Sequence, residues 1–570
     1  MSIIGLKKAN CKNCYKCVKV CPVKSIKVEN QQAMIIDNDC ILCGGCLNEC
    51  PQNAKTLSSD VDKVKEYFKK GERVVVSLAP AYAGSFSFDD PGQMVSALKR
   101  LGFTEVSETS QGAAYVTDEY YHLIEENKMP NIITTCCPTI NSLVEYYYPG
   151  LVSCMAPVVS PMVAHARLIR STLGKDVKVV FVGPCIAKKG EAVDIRHDTD
   201  VDAVLTFDDI GEWLLNERID IGECMPEPFL NASSKILRMY PVTDGILASL
   251  RARGGCENYQ LISVDGIEES KELFEAIERG EVEHCLIEIN ACKGGCVNGP
   301  ARAKDNAARF KAKLKVEHYA NSDADAYPEL IESPMLRKKF FDRSHRGVMP
   351  TEEQIREILS KIGKDTPEQE LNCGSCGYAS CREKAIAVFQ GRAELTMCVP
   401  YMKERAESLS NYVLAETPNI TIIVDSDMNI IEFNRAAEEC FKITRKEALQ
   451  KGLYEIIDIS DFQYVFETKQ SITDKKVSYR DYNIVTVQSI IYIAEQNVAM
   501  GIFRDITHEE AEQEKKYNLR VETMEMAQKV IDKQMVAAQQ IAHLLGETTA
   551  ETKVTLTKLK NMVVFDDGDE

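Results

Sequence analysis

The chain has 570 residues, too many for one domain of ordinary size, and its 45% hydrophobic and 27% charged residues are a globular balance rather than a disordered one. Lys and Arg total 68 against 86 Asp and Glu, and the net charge of −18 speaks against non-specific binding to nucleic acid or anionic membranes. No apolar run approaches the roughly 20 residues of a transmembrane helix. The N-terminal MSIIGLKKANCKNC lacks the apolar core of about 7–15 residues that marks a secretory signal. A cytoplasmic protein is expected, and in that reducing compartment its 22 cysteines suggest metal ligands rather than disulfides. Eight histidines are too few and too scattered for several zinc or haem sites.

In chain order, the first module carries two copies of C-x2-C-x2-C-x3-C-P. Cys11, Cys14, Cys17 and Cys21 precede Pro22, and Cys40, Cys43, Cys46 and Cys50 precede Pro51. Three closely spaced thiolates can cap three irons of one cluster, while the fourth, set off before a proline, ligates the other. The spacing predicts one cluster on Cys11, Cys14, Cys17 and Cys50 and a second on Cys40, Cys43, Cys46 and Cys21. A pair of zinc sites is the plainer alternative, and two full copies with both prolines weigh against it. Residues 1–58 resemble a two-cluster bacterial ferredoxin, which implies two 4Fe–4S clusters and a role in electron transfer.

From Arg73 onwards, β-rich runs alternate with helical stretches. The runs are RVVVSLAP (73–80), NIITTCCP (131–138), VKVVFVGPC (177–185) and HCLIEINAC (284–292); DPGQMVSALKRLG (90–102) and INSLVEYYYPG (140–150) read as helices. The alternation predicts a parallel α/β sheet with its site at the carboxyl ends of the strands. Three runs end in cysteine-bearing loops: TTCCP (134–138), GPCIAKK (183–189) and EINACKGGC (288–296). A cysteine at a strand end is usually a small apolar residue. Three such loops, with Gly and Pro allowing close backbone approach, shift the reading to a metal site.

These loops resemble the three signature motifs of iron-only (FeFe) hydrogenases, T-S-C-C-P, P-C-x-x-K-K-x-E and E-x-M-A-C-x-G-G-C. The resemblance extends over about residues 73–310, takes in YYPGL (147–151) and DAVLTF (202–207), and defines a domain at 73–317. It implies that Cys137, Cys185, Cys292 and Cys296 hold a 4Fe–4S cubane, with Cys296 bridging to a two-iron subcluster that carries CO, CN⁻ and a dithiomethylamine. Together these would form an H-cluster. It further implies that Lys188 donates to one cyanide, and that Ala79, Pro80 and Ala81 form the loop beside the other. Cys136 would pass protons to the bridging amine, work suited to a thiol whose pKa lies near neutrality. The plain alternatives are a solvated lysine and a filler thiol.

The departures are specific. Gly183 and Asn290 stand where catalytic members carry methionines packed on the two-iron unit, and Val152 and Ala156 fall where those members carry serines. Residues 112–121 do not align cleanly with the relay glutamates, leaving Asp118 and Glu119 as candidates. Hydrogen chemistry is implied; fast turnover is not.

Residues 318–370 are polar and read as linker, with one helix near 352–362 started by Thr351. Cys373, Cys376 and Cys381 follow in C-x2-C-x4-C, and Cys398 comes after an alanine-rich helix. Residues 371–405 resemble the small four-iron domain of redox electron chains; zinc stays open on spacing alone. Residues 411–508 read strand, tight turn at 425–429, strand, helix and further β segments, and resemble a PAS sensor domain. Such domains bind a ligand, dimerise or relay a signal. His508 is the one histidine nearby, so haem is not expected. Residues 509–570 are helical, with Met524, Ala527, Ile531, Met535, Ala538, Ala542 and Leu545 at the 3/4 steps of a coiled-coil seam and an acidic, frayed DDGDE end.

The expected architecture is therefore a multidomain α/β chain. It comprises a ferredoxin-like two-cluster module, an α/β hydrogenase H-cluster domain, a small four-iron domain, an α+β PAS domain and a C-terminal coiled-coil helix. Cys154, Cys224, Cys256, Cys285 and Cys440 are assigned to packing. The resemblance implies interconversion of H2 with protons and electrons in a sensory, PAS-containing protein. Expected partners are a ferredoxin-type electron carrier, hydrogenase maturation proteins, a second copy of the chain and a separate signalling protein. The alternatives are a metabolic ferredoxin-linked hydrogenase and an iron–sulfur assembly-type protein lacking the two-iron unit. Retention of Cys136 and Lys188 argues against the last.

Overall fold

A computed structural model describes residues 3–196, 200–231, 234–254, 257–302, 309–320, 327–328, 330, 335–344, 347–545 and 550–564. The chain divides into two compact units, Met1–Met402 and Lys403–Glu570.

In the first unit, the N-terminal module consists of two antiparallel strand pairs, Ile4–Leu6 with Lys55–Leu57 and Ile26–Glu29 with Gln32–Ile35. They support two short helices, Lys16–Val20 and Gly45–Asn48, each entered through a left-handed residue, Tyr15 and Gly44. Gly44 is required twice over: its φ is +75°, and a Cβ there would lie 2.5 Å from the Cβ of Pro300. The second cysteine loop is thus pressed against the chain just beyond Cys296.

The alternating region forms parallel sheets, but two of them rather than one. The first runs in the order Glu105–Glu108, Val74–Leu78, Lys178–Gly183, Ala203–Thr206; the second in the order Gln260–Asp265, Cys285–Asn290, Ile132–Ile133. Val74–Leu78 and Cys285–Asn290 are buried along their whole length, as strands covered by helices on both faces must be. Each buried Val, Leu or Ile contributes about 1.5–3 kcal/mol. The expected helices form as Pro91–Arg100, opened by a capping box between Asp90 and Gln93, and Pro138–Tyr147, with Pro138 at its first position.

Part of the span expected to be linker instead belongs to this core. Leu336 is buried in it, Lys338 N donates to Pro157 O at 2.9 Å, and Arg343 N donates to Glu145 O at 2.9 Å. The helix started by Thr351 forms as Glu352–Ser360, with a capping box to Gln354. Cys256 lies outside the described residues.

The second unit holds a five-stranded antiparallel sheet in the order Ile430–Phe433, Ile420–Asp425, Val498–Asp505, Ile484–Ile493, Ile472–Tyr479. The turn is held by Asp425 Oδ1, which accepts from the N–H groups of Asp427 and Asn429. Helices Thr507–Leu545 and Ala550–Val564 follow. Of the predicted seam, Met524, Ile531, Met535 and Ala538 are half-buried and Ala527 is exposed; the side chains of Ala542 and Leu545, and the DDGDE end, are outside the described residues. Among the described residues no helix is long and apolar enough to cross a membrane.

Gly112 sits where helix Ser110–Glu126 crosses Pro161–Leu173. A Cβ there would meet Pro161 O at 2.3 Å and His165 N at 2.7 Å. These are backbone atoms that cannot step aside. Gly112→Ala should therefore destabilise the first unit by about 2 kcal/mol or more despite the gain in helix propensity. Gly150→Ala, whose Cβ would meet only Glu278 Oε1 at 3.5 Å, should stay within about 0.5 kcal/mol. Urea unfolding of both variants reads the difference, and equal midpoints would refute it.

Candidate metal centre

The three cysteine loops meet at the carboxyl ends of Lys178–Gly183, Ile132–Ile133 and Cys285–Asn290. They enclose a cavity of about 100 Å³ whose wall brings together Cys136, Cys137, Cys185, Lys188 and Cys296, with Ala79, Pro80 and Ala81 from the end of Val74–Leu78. Cys292 faces a neighbouring crevice that it shares with Cys43 of the N-terminal module. A larger cleft of about 720 Å³ lies elsewhere, open and polar, and none of the four strand-end cysteines lines it. The smaller, drier cavity is the one with chemistry.

Burial governs the thiols. It pushes Cys185 up to about 11 and Cys292 and Cys296 well above the usual thiol value, and the neighbouring sulfurs add to the effect. Without added positive charge these groups stay protonated. A bound metal would reverse that balance and make them ligands. Cys137, Cys185 and Cys296 on the cavity wall, with Cys292 within electrostatic range of all three, fit a metal–sulfur group on that ground. Among the described residues no three His, Cys, Asp or Glu side chains are close enough to hold a single ion; four sulfurs set around a larger cluster need not be.

Cys136 points toward Tyr120, whose hydroxyl is 3.3 Å from the sulfur and accepts from Thr135 N at 2.9 Å. The near-neutral pKa expected for Cys136 is not what this environment gives: burial pushes it up to about 12, against the opposing pull of Tyr120 and Lys188. It stays a thiol at neutral pH. Burial pulls the Lys188 ammonium down, but Glu191 more than compensates and holds its pKa above the ordinary value. Lys188 Nζ donates to Glu191 Oε2 at 2.6 Å and to Cys136 O at 3.2 Å. Ser160 Oγ also donates to Glu191, at 2.9 Å. An ammonium has three donors, so one remains for the cavity that Lys188 lines.

Glu191 was not singled out from the sequence, although it fills the last position of the P-C-x-x-K-K-x-E motif. Tyr120 carried no signal beyond its place in residues 112–121. Asp118 instead forms an ion pair with Arg253 at 3.1 Å, and neither Asp118 nor Glu119 lines the cavity. Gly183 has no room for a larger side chain, because a Cβ would lie 2.6 Å from the Phe181 ring, which itself lines the cavity. Val152 and Ala156 do not line it; Ala156 O accepts from Thr135 Oγ1 at 3.1 Å.

In the N-terminal module, Cys21, Cys40, Cys43 and Cys46 line one small cavity. Burial pushes Cys43 and Cys46 up to about 12. Cys17 lies within electrostatic range of Cys11 and Cys14. Burial raises Cys50, but the N–H groups of Ala54, Gln52 and Lys55 outweigh it and hold the thiol below its usual value. Cys373, Cys376, Cys381 and Cys398 line a third crevice, together with Lys364, Tyr378 and Lys384. Cys154, Cys224 and Cys285 are buried and Cys440 is half-buried against the core of the second unit.

Comparison with known proteins matches each of these regions. The C-terminal domain of the large chain of iron-only hydrogenases is matched at residues 72–300, a 4Fe-4S dicluster domain at 3–68, an Fe–S cluster family at 369–400 and a PAS domain at 418–508. Residues 72–300 are thus a hydrogenase-like domain, in a chain that also carries a PAS domain at 418–508. Iron hydrogenase 1 of Clostridium pasteurianum is 28% identical over 372 residues, covering 48% of this chain and 65% of its own. An NADP-reducing hydrogenase subunit of Solidesulfovibrio fructosivorans is 26% identical over 385 residues, covering 55% and 66%. The chain thus spans just under two thirds of the length of either relative. A cytosolic Fe–S cluster assembly factor of Encephalitozoon cuniculi is 21% identical over 348 residues, covering 55% of this chain and 92% of its own.

Behind the cavity of this hydrogenase-like domain lies a buried polar chain. Thr109, which lines the cavity, bonds Ser77 at 2.8 Å; Ser77 bonds His165 Nδ1 at 2.7 Å, and His165 Nε2 bonds Ser107 at 3.0 Å. Full burial lowers the His165 pKa from 6.5 to about 3. The unfolded chain binds a proton below pH 6.5 that the folded chain refuses. The resulting stability is complete above that pH and is lost as pH falls towards 3. Between pH 7.5 and 5.5 His165 should remove about 1.4 kcal/mol of stability. His165→Asn should flatten the pH dependence of urea unfolding by that amount; an unchanged slope would show that the imidazole is charged when folded.

Proposed function

We propose that the chain is an iron-only hydrogenase interconverting H2 with protons and electrons, 2H⁺ + 2e⁻ ⇌ H2, and working as a sensor of H2 or redox state that signals through its PAS domain. The observation that supports this most is that Cys136 and Lys188 face the same dry cavity as Cys137, Cys185 and Cys296. In this reading Cys137, Cys185, Cys292 and Cys296 would hold a cubane, and a two-iron unit beside it would supply the centre at which H2 is formed or split. Lys188, oriented by Glu191, would give its remaining N–H to a cyanide on that unit, and Ala79 and Pro80 line the same cavity. Cys136 holds the proton at its sulfur, next to the Tyr120 hydroxyl. Electrons enter through the N-terminal clusters and pass on where Cys43 shares a crevice with Cys292. A ferredoxin-type carrier, maturation proteins that insert the two-iron unit, a second copy of the chain and a separate signalling protein complete the reading.

Infrared spectroscopy of protein matured with the two-iron unit tests it, because bound CO and CN⁻ absorb where protein does not. Bands are expected in the wild type and in Cys136→Ala, with H2 production in the variant reduced by about 10²-fold or more. Unchanged turnover would send the protons by another route. The similarity to a cytosolic Fe–S cluster assembly factor supports a second reading, in which the cubane is retained and the two-iron unit is not. Absent bands in protein with a full cubane complement would favour it.

The sensory reading also predicts modularity. Every cavity residue precedes Met402, where the first compact unit ends. A chain ending there should retain the infrared bands and run as a monomer in size-exclusion chromatography, while the full chain runs as a dimer. Loss of the bands on truncation would make the C-terminal unit part of the enzyme core.

A further inference from the structure

The four-cysteine crevice near residue 400 has three features that its cysteine spacing does not explain. Lys384, on helix Cys381–Phe389, is 2% exposed, and its Nζ donates to Leu395 O at 3.0 Å. No carboxylate pairs with it among the described residues, whereas the buried Lys188 has Glu191. A buried ammonium needs an anion, and the groups that share its crevice are the thiols of Cys373, Cys376, Cys381 and Cys398. Second, Tyr378 is buried against the same crevice with its hydroxyl unpaired in the structure. Orphaned buried hydroxyls are rare and mark a missing partner. Third, the crevice is docked on the N-terminal module. Lys24 Nζ donates to Gly377 O at 2.9 Å, and a Cβ on Gly377 would lie 2.9 Å from Val18 Cβ. Tyr378 packs in one core with Cys17, Val18 and Cys21.

We propose that this crevice holds a 4Fe–4S cluster in electronic contact with the N-terminal clusters across Tyr378, and that Lys384 is the buried counter-cation that raises its potential and makes it the place where electrons collect. The donor set fits such a group: four sulfurs supply the negative charge that Lys384 lacks, and cluster sulfur supplies an acceptor for the Tyr378 hydroxyl. One electron passes from a reduced N-terminal cluster, which goes from 1+ to 2+, to this cluster, which goes from 2+ to 1+. The reduced four-thiolate cluster carries one more negative charge than the oxidised one. A fixed cation in the same crevice, within electrostatic range of Cys398, Cys376 and Cys381, therefore stabilises the reduced form preferentially. Cys398 immediately precedes helix Val399–Glu416, so charge is stored beside the chain that leads on to the PAS domain. None of this requires the two-iron unit, so its failure and that of the hydrogen chemistry are separable.

The test is a dithionite redox titration of the full chain, reconstituted with iron and sulfide and followed by electron paramagnetic resonance. One cluster should reduce at higher potential than the N-terminal pair, and its signal should be broadened by magnetic coupling to a neighbour in the fully reduced protein. Lys384→Met should lower the reduced-to-oxidised ratio of that cluster at the wild-type midpoint by about tenfold, equal to about 59 mV for one electron, and leave the other midpoints in place. Lys384→Arg should restore the wild-type midpoint. Zinc in the crevice, a midpoint that Lys384→Met does not move at full iron content, or an uncoupled signal in the wild type would each overturn the proposal. The wild-type coupling decides the matter even if Lys384→Met fails to assemble its cluster.

Discussion

A thiol removed from water resists ionisation, because the thiolate loses its hydration while the neutral form loses little. That constraint organises the first unit of this protein. Cys43, Cys46, Cys136, Cys185, Cys292 and Cys296 all lie where burial pushes their pKa values upward. Sulfurs so placed become ligands only if a metal contributes the missing positive charge, so the fold and its metal content are thermodynamically linked. Cys136 differs from its neighbour Cys137 in having a hydroxyl, that of Tyr120, 3.3 Å from its sulfur. The dryness that suppresses ionisation also strengthens whatever charge is admitted, and the protein admits very little.

Two of the buried lysines, Lys188 and Lys384, show two ways of admitting it. Lys188 is matched within the protein, by Glu191 at 2.6 Å, and Glu191 is in turn held by Ser160. That pairing is in place before any cofactor arrives and leaves one ammonium N–H for the cavity. Lys384 has a carbonyl oxygen and, among the described residues, no carboxylate. Its compensation must come from the metal–thiolate group it faces. A lysine matched by protein positions a ligand; a lysine matched by a cluster sets that cluster's preference for electrons.

Much of this organisation was legible in the sequence, because cluster ligation imposes fixed spacings. The two ferredoxin-type repeats, the three strand-end loops and the LNCGSCGYASC segment could be located from their cysteines alone. The PAS region was legible from its turn, where Asp425 and Asn429 hold the backbone, and the capping boxes at Asp90 and Thr351 gave two helix starts. What spacing does not encode was missed. Strand Ile132–Ile133 is two residues long, too short for periodicity to reveal that it joins a second sheet. Tyr120 reaches Cys136 only because helix Ser110–Glu126 is packed tightly against its neighbour at Gly112. Leu336 and Lys338 sit in a polar stretch whose docking depends on Pro157 and Glu191, far away in sequence. Strand Ile472–Tyr479 is an edge strand with mostly exposed side chains, so its sequence lacks the apolar alternation that betrayed the others.

The cavity departs from the hydrogenase motifs in a way that has a structure of its own. Asn290 replaces a methionine in the third motif, and its amide donates to Glu288 Oε1 at 3.0 Å. The other Glu288 oxygen accepts the N–H groups of Ile246 and Leu247, at 3.0 and 3.1 Å, at the start of helix Gly245–Arg253. Burial nevertheless lifts Glu288 to about 7. This scaffold turns Asn290 Oδ1 towards Cys296 Sγ, 3.8 Å away. At Gly183 the opposite solution is used, with the Phe181 ring filling the space from the same strand. One methionine position has thus become a polar group with fixed orientation and the other a rigid aromatic wall. A flexible, polarisable thioether adapts its packing to whatever forms beside it; an amide held through its nitrogen by Glu288 and a packed ring do not. The cavity exchanges adaptability for a fixed environment around Cys296. A fixed environment suits a site that must report its occupancy reproducibly better than one selected for rapid passage of substrate.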